Sequence, residues 1–276
     1  MYWLFMSLCF VPIFAEGSFQ KQYYEEDSAI DVFDLTQPTI WQELNEYYSA
    51  IEKNWKICIN CGVPGLGTAI HLEHTGSSGM KPAIIPPEYL VTRLTLIDVS
   101  YITKIQSNLV LTLDVALQWP VIKHDPKEPT LIIFNFGWKQ TTFKRKCVCK
   151  NPGLSYELAS WIAANLSHVV GVATDAPTLE SDQTREMTSY TVSNILAKSG
   201  IYMIENVNLR KRLPERGCMT IAMPLMMLDA SYVPTRLTAF CPSRQSDRQV
   251  TIALKKATNT FSKSRINEVD LNEILN

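Results

Sequence analysis

The chain has 276 residues, a formal net charge of −1 and 19% charged residues. This length suits one large globular domain with a substantial buried core. The near-neutral charge gives no reason to expect nucleic acid or an anionic membrane surface as the main partner. We interpret the two short basic runs, Lys144-Arg145-Lys146 and Arg210-Lys211-Arg212, as solvated loops.

The N-terminus carries an apolar run, residues 2–14, followed by Ala15-Glu16-Gly17. The run is too short to span a bilayer and is typical of the apolar part of a secretory signal. We therefore expect residues 1–17 to be a signal peptide and the mature protein to be secreted and extracellular; a buried N-terminal strand is the alternative. Residues 18–33 follow as a polar and aromatic N-terminal arm. No other segment is long and apolar enough to predict a membrane span.

Seven cysteines are present, and Cys9 lies inside the predicted signal peptide. The six that remain in the mature chain are Cys58, Cys61, Cys147, Cys149, Cys218 and Cys241. An even count in a secreted chain favours disulfides, and a zinc site built from the first four is the alternative. Cys218 and Cys241 stand at the outer ends of two apolar runs that predict an antiparallel hairpin, so we expect them to form a disulfide.

Strand and helix patterns alternate along the rest of the chain, which predicts an α/β domain. Helices are predicted at 41–55, from 111 onward, at 155–164 and at 188–198. Buried strands are predicted at 57–59, 89–100, 130–136, 169–173 and 201–204, and apolar runs at 219–227 and 237–240 flank a predicted turn at 229–234. Thr112 and Ser155 are candidate N-caps, and Gly200 is a candidate C′ residue. Asn165 begins an N-glycosylation sequon, and residues 243–276 are expected to be a loosely packed extension.

A series of different short motifs lies between Asp34 and Pro242. They are Asp34-Leu35-Thr36, Gly67-Thr68, Ile85-Pro86-Pro87-Glu88-Tyr89-Leu90, Leu96-Ile97-Asp98-Val99-Ser100, Phe136-Gly137-Trp138, Pro152-Gly153-Leu154-Ser155, residues 170–175, residues 200–206, Arg212-Leu213-Pro214 and Pro234-Thr235-Arg236. Their order and spacing resemble the cyclase family of metal-dependent amide hydrolases, which includes kynurenine formamidases and isatin hydrolases. The resemblance implies a swivelling β/β/α fold over residues 34–242, with a mixed sheet and flanking helices, and a homodimer.

The metal-binding signature of that family reads His-x-Gly-Thr-His-x-Asp-x-Pro-x-His, and its Gly-Thr pair matches Gly67-Thr68. In this register the family's ligand and acid–base positions fall on residues of other types, namely Gly65, Ala69, His71 and Thr75. A shift of two residues would place His71 and Glu73 on the second histidine and the aspartate, but it loses the Gly-Thr pair, so we favour the first register. The family's downstream acid–base glutamate matches Glu205, whereas its histidine partner falls at Ser193.

Metal-assisted amide hydrolysis needs side chains that hold a divalent ion and a group that shuttles protons. Glu205 is the one candidate catalytic group that the resemblance leaves, and a structural carboxylate is the alternative role. We expect no metal; the alternative is Mn or Zn held by His71, Glu73 and His74, of which only two can converge on a straight strand. His71, Glu73, Trp138 and Asp175 are the predicted lining of a ligand pocket.

Three hypotheses follow for the function. The first is a secreted, catalytically inactive pseudoenzyme that binds a small molecule or an extracellular protein. The second is an active amide hydrolase of the arylformamidase type, acting on non-peptide C–N bonds with a rearranged site. Because Gly65 and Ala69 are smaller than histidine, we expect the pocket to remain open beside Glu205 and His71 and to take a cationic or hydrogen-bond-donating ligand. A purely extracellular interaction protein with a collapsed pocket is the third possibility.

Overall fold

The computed structural model describes residues 30–42, 45, 49, 67–72, 81–123, 127–138, 151–181 and 192–243. Some predictions concern residues outside these ranges and stay predictions: the signal peptide, residues 18–29 of the arm, the strand at 57–59, Gly65, Glu73, His74, Thr75, Cys58, Cys61, Cys147, Cys149, residues 188–191 and the extension beyond Ser243. Of the helix predicted at 41–55, residues 41, 42, 45 and 49 are described, and they are helical.

Besides these helical residues, the described part of the chain contains ten strands and four α-helices. The strands are β1 Ile30–Asp34, β2 Ala69–His71, β3 Val91–Asp98, β4 Val110–Leu111, β5 Thr130–Asn135, β6 Gly153–Leu154, β7 Val169–Thr174, β8 Tyr202–Glu205, β9 Met219–Pro224 and β10 Tyr232–Pro242. The α-helices are α1 Ser100–Thr103, α2 Leu113–Ala116, α3 Tyr156–Asn165 and α4 Val192–Lys198, and 3₁₀ turns lie at Pro82–Ile84, Pro87–Tyr89 and Pro120–Lys123. The predicted alternation of strands and helices is therefore present.

Seven strands of the main sheet close into a ring. The sheet has the order β1-β10-β2-β8-β7-β5-β3-β9, and β10 also pairs with β9, so that β1 is added outside the ring. Neighbours among β3, β5, β7 and β8 are parallel, and the other pairs are antiparallel. Parallel neighbours need crossover connections, and the chain places α3 and α4 in two of these. The result is a mixed sheet with flanking helices.

Two hydrophobic cores lie on opposite faces of this ring. On β5, Leu131 and Ile133 belong to the core inside the ring. The alternate residues Ile132 and Phe134 pack with Leu158 of α3 in the core between the ring and the helices. Side chains of a strand point alternately to its two faces, so the continuous apolar run of β5 supplies both cores. A strand buried on both faces needs no polar alternation.

Local signals place some element ends where they were predicted. The Ser155 hydroxyl accepts a hydrogen bond from the Leu158 N–H at 3.2 Å, so it caps α3. Thr112 precedes α2, as predicted, but its side chain makes no cap bond and instead donates to the Asp114 carboxylate. Gly200 follows α4 with a φ of +74°, a conformation that glycine adopts without the steric cost of a side chain.

The strands β1 and β10 are longer than their sequence patterns predict. β1 begins at Ile30, inside the segment predicted as an arm, because Ile30 pairs with Pro242. β10 begins at Tyr232, inside the predicted turn, because its first residues pair with β2. Pairing partners that are distant in sequence therefore extend both strands. No helix in the described part of the chain is long and apolar enough to cross a membrane.

The predicted disulfide between Cys218 and Cys241 is present, with 4.2 Å between the two Cα atoms. β9 and β10 pair in register as far as Met219 and Phe240, so the two cysteines are the next cross-strand partners. Both cysteines are buried at the edge of the inner core.

Replacing both cysteines with alanine is expected to destabilise the protein by about 2–4 kcal/mol, because the cross-link restricts the unfolded chain. Chemical denaturation of the variant measures this loss, and peptide mapping without reductant should recover the linked peptides from the wild type. Free thiols at both positions in oxidised wild-type protein would refute the disulfide.

Candidate functional site

Three neighbouring strands place a cluster of polar side chains on one face of the sheet. β2 lies between β10 and β8, and its Ala69 is directly opposite Glu205 of β8. His71 is opposite Tyr232 of β10 on one side and Met203 of β8 on the other. Directly paired residues point to the same face, and Met203 belongs to the core beneath the helices. The cluster therefore faces the helical layer, outside the ring.

Glu205 is the centre of this cluster, and only 3% of its surface is exposed. The Tyr232 hydroxyl donates a hydrogen bond to its Oε2 at 2.6 Å. Burial raises the pKa of Glu205 to about 7; hydrogen bonds from Tyr232 and Thr178 oppose this rise, and the nearby charge of Glu180 adds to it. The carboxyl group therefore exchanges its proton close to neutral pH.

His71 contacts the same tyrosine. The ring centroids of His71 and Tyr232 lie 5.0 Å apart, and burial lowers the pKa of His71 to about 4. Its Nδ1 atom is buried and has no hydrogen-bond partner among the described residues. His71 is therefore a neutral, packed side chain at pH 7. Tyr232 occupies the place beside His71 and Glu205 where a donor group of a ligand was predicted.

Ser193 stands at the position where the family resemblance predicts the acid–base histidine. Its backbone N–H and its hydroxyl both donate to Glu180 Oε1, at 2.9 and 3.0 Å. Glu180 is buried, and its Oε2 has no partner in the described part of the chain. The serine is thus committed to a structural contact that anchors the start of α4 to the segment after β7.

Asp175 and Trp138 meet each other at the end of β5. Asp175 accepts hydrogen bonds from the N–H groups of Phe136 at 2.8 Å and Trp138 at 2.7 Å. Burial raises the pKa of Asp175 to about 6, against the opposing effect of these backbone hydrogen bonds. Trp138 packs against the core beneath the helices. This carboxylate holds a backbone turn, and we find no hydrogen bond between the described residues that joins it to Glu205 or His71.

Two members of the cluster were not predicted as site residues. Tyr232 fell in the predicted turn, because the strand that carries it is extended by pairing with β2. Val233 and Leu237 of β10 both point into the ring. Because side chains of a strand alternate, Tyr232 must point to the outer face, and this alternation could have identified it. Glu180 lies outside any strand or helix, and its isolated bridge to Leu154 has no signal in the sequence.

The remaining predicted residues lie elsewhere. Glu73 and His74 are outside the described residues, and Asn165, the predicted glycosylation position, is exposed at the last residue of α3.

The described residues do not fit a Mn or Zn site. Opposite Glu205, where the signature requires a histidine, Ala69 offers only a methyl group. The described residues contain no group of three or more His, Cys, Asp or Glu side chains that could hold a metal ion. Structural and catalytic zinc sites use three or four such ligands, so the described residues of this face do not supply that donor set.

Comparison with known proteins agrees with the motifs. The family model described as "Putative cyclase" matches residues 33–181, more than half of the chain. The chain belongs to the Cyclase family. The match includes Ala69, His71 and Glu180 but ends before Ser193 and Glu205, so the roles of these two residues rest on the motif and the geometry. No curated protein matches the sequence.

Solved structures show the same fold. Isatin hydrolase A from Ralstonia solanacearum is similar at 19% identity with a TM-score of 0.58, over 77% of this chain and 92% of that one. Isatin hydrolase A from Labrenzia aggregata bound to benzyl benzoate is similar at 18% identity with a TM-score of 0.59, over 78% and 95%. An isatin hydrolase bound to the product analogue thioisatinate is similar at 17% identity with a TM-score of 0.54, over 64% and 72%. The predicted swivelling β/β/α fold is confirmed for this Cyclase-family chain.

Proposed function

We propose that this Cyclase-family protein is a catalytically inactive, secreted member that acts by binding a small molecule or an extracellular protein. The hydrogen bond from Tyr232 to Glu205, beside Ala69, carries this proposal. It places a tyrosine against the carboxylate that acid–base catalysis would need.

The first support is the missing set of metal ligands. Amide hydrolysis of this type needs an ion with an open coordination position, since the bound water becomes acidic only on the metal. Ala69 faces Glu205 across the β2–β8 pair, and its side chain has no atom that can bind a metal. His71, the remaining imidazole of the pattern, packs on the Tyr232 ring.

The second support is that neighbouring side chains bury Glu205. A general base must come within about 2.6–3.2 Å of the proton that it takes, directly or through one water. The carboxyl group of Glu205 is almost fully buried and bonds to the side chains of Tyr232 and Thr178. The acid–base partner predicted from the family is replaced by Ser193, which bonds to Glu180 instead.

Secretion is supported by the apolar N-terminal run and by the disulfide. Disulfides persist in oxidising compartments and are rare in the cytosol, and the Cys218–Cys241 bond suits an extracellular protein. The partner that we propose is an unidentified small molecule or extracellular protein, bound by a homodimer.

An active amide hydrolase is the second candidate, and the proton affinity of Glu205 favours it. Acid–base groups work best when their pKa lies near the operating pH, and burial raises the pKa of Glu205 to about 7. In that case the ion would be held by His71 together with Glu73 and His74. The Nδ1 atom of His71, which has no hydrogen-bond partner among the described residues, is the observation that agrees with this arrangement.

Metal content and turnover distinguish the two candidates. We expect the full chain, purified without chelators, to hold no stoichiometric Mn or Zn by elemental analysis. We also expect it not to hydrolyse N-formylkynurenine or isatin, because loss of acid–base catalysis alone lowers rates by about 10²–10⁴-fold. One equivalent of metal with turnover that is abolished by His71→Ala, but retained in the control Glu88→Gln at an exposed position, would overturn the proposal.

A further inference from the structure

A cleft lies at one mouth of the ring, at the carboxyl ends of β3 and β5. Its volume is about 610 Å³, and Leu96, an inward residue of the inner core, lies at its base. Leu209 and residues 211–216 form a second wall, which runs beside β3 because the Leu96 N–H donates to the Glu215 carbonyl at 2.8 Å, and Pro242 at the end of β10 also lines the cleft. Small-molecule sites commonly have volumes of about 300–1,000 Å³ and occur in the mouths of β-barrels. The size and position suit a small ligand.

The second wall is basic. It contributes Lys211, Arg212 and Arg216 to the lining, with Glu215 as its one carboxylate. Lys211 and Arg216 are exposed, and neither has a hydrogen-bond or ion-pair partner among the described residues. Two cationic side chains are thus available to an anionic group. Lys and Arg bind carboxylates through charge-assisted hydrogen bonds.

The wall formed by the strands carries one acceptor and one donor. Asp98 and Asn135 end two neighbouring parallel strands and are paired in register. Each uses one oxygen to close its own turn: Asp98 Oδ1 accepts from the Ser100 N–H, and Asn135 Oδ1 accepts from the Gly137 N–H, both at 3.0 Å. These bonds fix both side chains and leave Asp98 Oδ2 and Asn135 Nδ2 for a ligand.

We infer that this cleft binds a small organic carboxylate that also carries an ammonium group. The carboxylate pairs with Lys211 and Arg216, and the ammonium donates to Asp98. The carboxylates of Asp98 and Glu215 disfavour a more highly charged phosphate, because like charges repel within the same cleft. None of the lining residues belongs to the Tyr232–Glu205 cluster. The inference therefore goes beyond the proposed function and does not depend on whether Glu205 is catalytic.

Calorimetric titration of the full chain at low ionic strength tests the inference, with succinate and 2-aminosuccinate as a matched pair of probes. We expect saturable binding of 2-aminosuccinate, tighter than that of succinate. The double substitution Lys211→Ala and Arg216→Ala should weaken it by at least about tenfold, since each removes a charge-assisted bond. Arg210→Ala is the matched control, because Arg210 is a neighbouring exposed cation outside the lining.

The role of the strand wall is tested by Asp98→Asn. This change keeps the oxygen that accepts from Ser100 and removes the charge, so the preference for 2-aminosuccinate over succinate should disappear. Thermal melting of each variant verifies that it folds. The inference is overturned if neither probe saturates, if Arg210→Ala weakens binding as much as the double substitution, or if inorganic phosphate binds as tightly as 2-aminosuccinate.

Discussion

Glu205→Gln is expected to stabilise the folded protein at pH 8 by about 3 kcal/mol while leaving its stability at pH 4.5 nearly unchanged. Burial raises the pKa of Glu205 from 4.5 to about 7 in the folded protein, and each pKa unit corresponds to about 1.4 kcal/mol. At pH 8 the wild type must ionise a buried carboxyl group. Glutamine stays neutral at every pH, and its oxygen can still accept the hydrogen bond from the Tyr232 hydroxyl.

The direction follows from proton binding. Between pH 4.5 and 7 the folded wild type holds the Glu205 proton more tightly than the unfolded chain does. The stability that this proton contributes is complete at low pH and is lost as the pH rises through about 7. Asp175 and His71 also titrate, with pKa values of about 6 and about 4. Their contributions are common to wild type and variant and cancel in the difference.

Urea denaturation of both proteins from pH 4.5 to pH 8.5 measures this difference. Glu88→Gln, at an exposed position, serves as the control and should give the same change in the free energy of unfolding at every pH. If the difference in the free energy of unfolding between Glu205→Gln and wild type stays constant over this range, Glu205 is solvated. The description of Glu205 as a buried carboxyl group covered by Tyr232 would then be wrong.

Gly171→Val is expected to destabilise the protein by about 3 kcal/mol and so to lower its melting temperature and soluble yield. Gly171 of β7 is paired with Leu131 on one side and Tyr202 on the other, inside the ring. A Cβ atom there would lie 2.9 Å from Leu131 Cδ1 and still closer to the Tyr202 ring. The ring cannot withdraw freely, because its hydroxyl donates to the Tyr89 carbonyl at 2.8 Å.

Thermal melting and soluble yield measure the effect of Gly171→Val. Gly200→Ala is the comparison: nothing lies within 4 Å of its added Cβ, but its φ of +74° should cost about 1–2 kcal/mol. The double variant Gly171→Ala with Tyr202→Leu should lose less stability than the sum of the losses in the two single variants, because leucine leaves room for the added methyl group. If Gly171→Val melts at the wild-type temperature, Tyr202 does not cover Gly171 and the packing of the inner core is wrong.

Local signals in the sequence were sufficient for much of the α/β layout. β5 is a continuous apolar run and α3 has a serine cap, so neighbouring residues alone determine these elements. The closure of the ring has no such signal. It depends on β10, which pairs with β1, β2 and β9, and the extent of a strand is set by its partners as well as by its own residues. The family resemblance, and not periodicity, predicted the fold.

The site could be predicted only in part. Motif matching identified Glu205 and Ala69, and strand pairing places them directly opposite each other. The side chain that covers Glu205 comes from Tyr232, which is close only because β10 starts early. Asp175 matched a family motif, yet its environment is a backbone turn that no pattern of residue types specifies. Contacts between strands determine the environment of each polar side chain, and these contacts cannot be predicted from the pattern of a single sequence.

The closing strand also sets when the protein can fold in the cell. Asp34 and Arg236 form an ion pair across 202 positions of sequence, and β1 pairs with β10 outside the ring. A ribosome that adds about 5–20 residues per second needs about 10–40 s to make the intervening chain. Throughout that time the early strands emerge without their final neighbour. A nascent chain that stops before Tyr232 lacks the strand that closes the ring, so the apolar residues of the inner core lose part of their cover. We therefore expect such a chain to depend on chaperones to stay soluble.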